Sequence, residues 1–180
     1  EVDAIIVMDQ VDRAETGVIT SGVLAALSEI ARQRPELPIV ADSRRGLRDY
    51  PALCWKMNRH ELQHCVEMPP SADLTGVEQA AAALARRNGR TVVVTLAEAG
   101  IVAANAAGEV VHRPSLPVRG PIDIVGAGDA VTANLTAAMA AQASLGELLE
   151  LANAGASVVV HKLGQTGTAS VTELAERLDG

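Results

Sequence analysis

Two short apolar runs, each closed by a carboxylate and separated by a stretch of helical period, constrain this chain more than any other feature. Ala4-Ile5-Ile6-Val7-Met8 stops at Asp9, and Leu37-Pro38-Ile39-Val40-Ala41 stops at Asp42. Between them, residues 18–34 carry Val23, Leu24, Leu27, Ile30 and Ala31 at the spacing of one helix face, and Pro35 and Pro38 close the helix. A strand–helix–strand unit of this kind belongs to an open parallel sheet, where ligands gather at the carboxyl ends of the strands. Composition agrees. Hydrophobic residues make up 48% of the chain but aromatics only 1%, with no Phe, so Ala, Val, Leu and Ile must build the core. Small and β-branched side chains suit parallel strands buried under Ala-rich helices.

The pattern continues along the chain. Ser43 to Pro51 reads as a basic, Gly-containing loop, residues 53–57 as a short strand and 58–66 as a short helix, with a break at Met68-Pro69-Pro70. Thr75 and Glu78 match a capping box that opens an Ala-rich helix running to Arg87, and Asn88-Gly89 ends it. Thr91-Val92-Val93-Val94-Thr95-Leu96 is the clearest strand. Residues 101–104 and 109–112, joined by Asn105-Ala106-Ala107-Gly108, predict a hairpin. A long helix follows Gly128 to about Gln142, Ser144 and Glu147 open another toward Val160, and Ser170 and Glu173 open a last short one. With 180 residues and no repeat, low-complexity tract or linker, residues 1–180 read as one α/β domain.

Several function classes fall away. A net charge of −7, no basic stripe and almost no aromatic stacking platform argue against nucleic acid as a partner. No apolar run reaches membrane-span length and no secretory signal precedes the first strand, so no membrane partner is expected. Cys54 and Cys65 form no C-x-x-C pair; they read as small buried residues, and the default location is the cytoplasm. His60, His64, His112 and His161 show no complete metal spacing and read as surface or packing residues. The chain begins at Glu1, almost within a strand, which suggests preceding sequence.

The most chemically pointed segment is Gly126-Ala127-Gly128-Asp129, set directly before a helix. Two glycines permit close backbone approach, and the free amides and dipole of a helix start favour an anion. The segment is neither a Walker loop nor a G-x-G-x-x-G fingerprint, since Val131 stands three residues after Gly128. Asp129 in the first turn has two readings: a partner of the helix dipole, or a base that accepts a hydroxyl proton beside a bound phosphoryl group.

Here the chain resembles the ribokinase/PfkB family of carbohydrate kinases. Asp123-Ile124-Val125-Gly126-Ala127-Gly128-Asp129 is similar to the family's D-T-x-G-A-G-D signature. Lys56-Met57-Asn58-Arg59-His60-Glu61 resembles its K-P-N-x-x-E segment, and residues 91–100 its strand and T-L-G-x-x-G turn. Residues 151–156 resemble the adenine-side helix. Residues 158–164 with Thr168 resemble the heptose-phosphate kinase branch most closely. The resemblance spans nearly the whole chain. It implies a ribokinase-like, open and mostly parallel sheet with helices on both faces. It also implies transfer of the ATP γ-phosphate to a hydroxyl of a sugar or sugar phosphate, such as D-glycero-β-D-manno-heptose 7-phosphate. Asp129 would be the base, and the amides of Gly126, Ala127 and Gly128 the anion hole. Asn58 and Glu61 would serve Mg²⁺ and phosphate, while Thr95, Ala97 and Gly100 would border ATP and Asn153 its base. Asp123 would hold the loop or a monovalent cation such as K⁺. Asp42 would lie near the phosphates.

Each assignment has a plainer alternative. Asn58 and Glu61, three apart, also read as a helix cap and its partner, and Asn153 as a buried hydrogen-bonding residue. Arg44, Arg45 and Arg48 read as a phosphate contact or as a solvated loop. The chain also departs from the family pattern. Ile124-Val125 replaces a hydroxyl-bearing pair, and Ala97 stands where the turn has Gly, at a cost of about 1 kcal/mol if φ is positive. The part that carries the family's first strands, its small β-lid and most sugar contacts is expected to lie before Glu1. The chain thus reads as a lidless carboxyl-terminal portion, prone to form a homodimer through its open sheet edge and of uncertain activity alone. Two other functions remain open: a kinase for ribose, fructose, adenosine or another small alcohol, and a nucleotide-binding module without catalysis.

Overall fold

The computed structural model describes residues 1–179. Six strands form one sheet in sequence order: β1 (Ile5–Asp9), β2 (Ile39–Ser43), β3 (Cys54–Asn58), β4 (Val92–Thr95), β5 (Ile101–Ala104) and β6 (Val110–Arg113). The first four run parallel, and the hairpin β5–β6 adds two antiparallel strands. Alternation of side chains divides the apolar residues between two layers. Val7, Ile39, Ala41, Trp55, Met57, Val92 and Val94 face one core, which α1 (Ser21–Gln33), α2 (Arg59–Cys65) and α3 (Leu74–Asn88) cover. Val40, Val93, Ile101 and Ala103 face the other, which α4 (Ala127–Ala140) and α5 (Leu145–Val160) cover. A final helix, α6 (Val171–Asp179), packs on α5. This is the expected α/β architecture, and among the described residues no second, smaller sheet accompanies it.

The connection from β2 to β3 contains no helix. The loop of residues 44–53 instead drives Leu47, Tyr50 and Leu53 into the core, each at most 9% exposed. The basic residues that mark this loop in the sequence conceal that it is largely a plug. Its anchor is Asp9, at the end of β1 and 2% exposed, which accepts hydrogen bonds from Tyr50 Oη at 2.8 Å, Arg45 Nη2 at 2.5 Å and Ser43 Oγ at 3.1 Å. All three arginines of the loop are exposed, and Arg45 turns its guanidinium onto Asp9.

Two boundaries differ from the sequence reading. The first helix starts at Ser21, because the Thr20 hydroxyl accepts from the Val23 amide, rather than at residue 18. α3 is capped by Asp73, whose carboxylate accepts from the Gly76 amide at 2.9 Å, so Thr75 is inside the helix and its pairing with Glu78 is not the cap. Asp73 is the stronger acceptor and fits the same offset to an amide. The Ser144–Glu147 capping box forms as expected.

Candidate active site

The register of the parallel strands brings the chemistry-bearing residues to one edge. Met8 pairs with Asp42, and Asn58 with Thr95, so these strands end together. Parity places Asp42, Lys56 and Thr95 on the sheet face that α4 covers, since Val40, Cys54 and Val93 two residues earlier pack against that layer. The start of α4 stands over this edge. The Thr132 hydroxyl, one turn inside α4, has two acceptors within reach of its single proton, the Gly128 carbonyl at 3.0 Å and Asp42 Oδ2 at 3.3 Å. Lys56 Nζ donates to the same Asp42 oxygen at 2.7 Å. Lys56 is 6% exposed, and the bridge it forms has only 8% and 14% of its two side chains accessible.

The glycine turn makes a steric demand at its first residue. Gly126 is the N-cap of α4 with φ 83°, a left-handed conformation that a β-carbon disfavours, and no side chain caps the helix there. The Ala127 amide donates to the Ile124 carbonyl at 3.2 Å, a long bond, while Gly128 and Asp129 occupy first-turn positions whose amides have no partner inside the helix. Asp129 is exposed at this end. Asp123 holds the loop from behind: its carboxylate accepts from the Val125 amide at 3.0 Å and from the Gly164 amide at 3.2 Å. Ile124 and Val125 are 74% and 57% exposed and bring no side-chain donor.

Asn58 and Glu61 form a reciprocal capping box at the start of α2. The Asn58 side chain accepts from the Glu61 amide at 2.9 Å, and Glu61 Oε2 accepts from the Asn58 amide at 2.7 Å. The plainer reading of this pair is therefore realised. Yet Glu61 is not an ordinary surface carboxylate. Burial pushes its carboxyl above the usual range, the Asn58 amide pulls against this, and the charge of Asp42 adds to the rise. A carboxyl raised by burial and a neighbouring carboxylate is a place where a cation relieves repulsion.

The remaining sequence candidates hold backbone. Thr95 Oγ1 donates to the Met57 carbonyl at 3.4 Å. Ala97 has φ 52°, so the departure from Gly there does carry the expected strain. Gly100 has φ 94°, and a β-carbon on it would lie 2.1 Å from the Arg113 carbonyl oxygen. Asn153 Nδ2 donates to the Pro114 carbonyl at 3.0 Å and tethers the segment after β6 to α5. His60 and His64 meet edge-on with ring centroids 4.5 Å apart. His112 and His161 bond backbone carbonyls through one ring nitrogen each. Burial raises the thiols of both Cys54 and Cys65. Among the described residues, no group of three or more His, Cys, Asp or Glu side chains is gathered around a common point. No helix there is long and apolar enough to cross a membrane.

Sequence reasoning gave Lys56 no role beyond opening the segment that resembles K-P-N-x-x-E, and gave Thr132 none. A signal for Lys56 was present: a lysine inside the apolar strand run Leu53–Met57 is either edge-exposed or buried with a partner. Nothing in the sequence singles out Thr132 within its helix.

Comparison with known proteins gives a family and a fold. The model of a family described as pfkB family carbohydrate kinase matches residues 17–172. The bifunctional protein HldE of Azorhizobium caulinodans is 34% identical over 165 residues, covering 91% of this chain and 34% of its own length. HldE of Rhodospirillum rubrum is 35% identical over 157 residues, 86% of this chain and 31% of its own. The chain thus spans about a third of the curated relatives it matches. Among solved structures, Arabidopsis thaliana ribokinase complexed with ribose and ATP superposes with a TM-score of 0.81 at 20% identity, over 99% of this chain and 56% of that one. Escherichia coli phosphofructokinase-2 with substrates and products gives 0.68 at 23% identity, over 87% and 52%. At these identities the superpositions speak to the fold.

Proposed function

Since this chain belongs to the pfkB family of carbohydrate kinases, we propose that it binds ATP and transfers the γ-phosphate to a hydroxyl of a sugar or sugar phosphate, with Asp129 as the base. One observation carries this reading. Four sequence-distant segments meet at the carboxyl edge of the parallel strands, where Asp42, Lys56, Asn58 and Thr95 lie at the edge over which the uncapped start of α4 stands.

The residues present fit the groups they would receive. First-turn amides at Gly128 and Asp129, with a dipole and no side-chain cap, suit an anion. Magnesium takes hard oxygens, needs only one or two carboxylates and keeps several waters, so Glu61 with Asp42 fits it without a closed cage. When bound, the metal supplies charge neutralisation across the phosphates. The chain's own residues do the rest. Asp129, exposed at the start of α4, accepts the proton of the attacking hydroxyl. The amides beside it orient and stabilise the transferring group. Asp123 fixes the loop through two amides whether or not K⁺ sits nearby.

A heptose 7-phosphate is our first acceptor, supported by the similarity to HldE proteins; ribose, fructose and adenosine are the competing acceptors in a product assay. Homodimer formation is part of the proposal, because among the described residues β1 pairs on one side only and Ile6 on it is 44% exposed; sedimentation as a monomer would remove that part. A non-catalytic nucleotide-binding module is the second reading, favoured by the donorless Ile124-Val125 pair. Asp129→Asn separates the two. We expect sugar-dependent ADP release to drop about 10²–10⁴-fold while ATP still binds. Undiminished turnover in this variant would show that Asp129 is not the base. Absence of any phosphorylated sugar in the parent protein, with ATP affinity retained, would favour the module.

A further inference from the structure

At the pole of the sheet opposite the glycine turn lies a cavity of about 370 Å³, within the range of small-molecule sites. It opens at the amino ends of β2 and β3, where strand pairing is shortest. β1 and β2 share a ladder of five residue pairs that begins at Ile39, whereas the β2–β3 ladder has two pairs and begins at Val40 and Cys54. The walls are the buried Leu37, Leu53, Leu145 and Leu148, with Met139 from the last turn of α4. The exposed Glu36, Glu109 and Ser144 form the rim. None of these residues takes part in the candidate active site.

One charge on the wall has no counter-charge. The half-buried Arg90 guanidinium donates to the Pro35 carbonyl at 2.7 Å and to the Ala31 carbonyl at 3.1 Å. These neutral acceptors use two of its five donors. Among the described residues Arg90 forms no ion pair. The rim carboxylates are engaged elsewhere: Glu36 pairs with Arg34 at 2.5 Å, and Glu109 accepts from Asn105 Nδ2 at 2.9 Å. The Arg90 charge also reaches the interior. Burial raises the Cys54 thiol on the cavity wall, and Arg90 pulls against that rise. Two carbonyls thus hold a cation with spare donors beside an apolar hollow, so little ordering is left for binding to supply.

We propose that this cavity is a second ligand site, for a small amphipathic monoanion whose anionic head meets Arg90 and whose apolar body lies among Leu37, Leu53, Met139 and Leu148. A medium-chain carboxylate is the simplest ligand of that class. The inference stands apart from the kinase reading, although α4 spans the two sites: its first turn carries Gly128 and Asp129, and its last turn lines the cavity.

The probe is octanoate, with octylammonium and octanol as chains of matched length and opposite or no charge. Equilibrium titration of the parent protein should give one saturable site for octanoate and binding about tenfold weaker or worse for octylammonium. Arg90→Gln should weaken octanoate about tenfold or more and leave octanol unchanged, since it removes the charge-assisted contact alone. Ala143→Trp, which fills the cavity from the loop between α4 and α5, should abolish octanoate binding. In Cys65→Ala protein, saturating octanoate should protect the Cys54 thiol from a maleimide. No saturable octanoate binding by the parent would overturn the proposal, as would an unprotected Cys54 at saturation. Equal weakening of octanoate and octanol by Arg90→Gln would mark Arg90 as structural and also overturn it. If Ala143→Trp fails to fold, the Arg90→Gln comparison decides alone.

Discussion

At Gly100 the backbone leaves no space for a side chain, and the obstacle is itself backbone. A β-carbon there would sit 2.1 Å from the Arg113 carbonyl oxygen and 2.7 Å from Pro114 Cα. Neither can swing aside as a side-chain tip would, and φ at 94° adds strain for any L-residue. Gly100→Ala should therefore cost more than about 3 kcal/mol, read as a fall in the urea midpoint. A loss under 1 kcal/mol would mean that the 113–114 segment moves freely. Ala97, three residues earlier, shows the opposite case: φ 52° with a β-carbon in place, a strain of about 1–2 kcal/mol that the turn tolerates. The need for glycine at 100 was legible in the sequence only as a turn motif. That the reason is a close approach of the β6 exit could not be read there, because residues 100 and 113 are brought together by hairpin register, Thr95 pairing with Ile101 and Ile101 with Arg113.

Elements in this chain are set largely by local chemistry, and their ends by the best available cap. The reciprocal Ser144–Glu147 and Asn58–Glu61 boxes fix α5 and α2 at the positions their sequences announce. α3 departs because two candidate caps compete. Asp73 lies two residues before Thr75, and its carboxylate reaches the Gly76 amide. Asp73→Ala should cost about 1 kcal/mol, whereas Thr75→Ala should change stability by a few tenths at most. Thermal melts of the two variants distinguish them, and equal losses would return the cap to Thr75. Most strands and helices were thus legible to within a few residues, since period and capping are properties of neighbours in sequence. The loop of residues 44–53 was not. Its polar residues dominate locally, while its role as a plug depends on Leu47, Tyr50 and Leu53 finding a core built by remote strands.

For the whole molecule, the Asp9 anchor links folding to pH at both extremes. Burial alone would raise the Asp9 carboxyl, but hydrogen bonds from Tyr50, Arg45 and Ser43 and the Arg45 charge outweigh it and leave it below the usual range. Its contribution is complete above the unfolded value of about 3.9 and is lost as pH falls through the lowered folded value. Burial, reinforced by the bond to Asp9, pushes the Tyr50 phenol up to about 12. Its contribution is complete below the unfolded value of about 10 and is lost as pH rises through the folded one. Stability followed by Trp55 fluorescence should therefore hold across the neutral range and fall at both ends. Tyr50 is the single tyrosine, so phenolate absorbance reports it alone, and a midpoint near 10 in the folded protein would contradict the anchor. The sequence by itself determined the layered α/β class, the glycine turn, Asp129 beside it and the family they resemble, because these follow from period, spacing and local backbone demands. Only the tertiary structure decided that Arg45 serves Asp9 and that Lys56 and Thr132 converge on Asp42 beneath the turn. Those pairings join residues 14 to 90 positions apart, and which face and which end of a strand each one reaches is set by register and packing, not by neighbours in the chain.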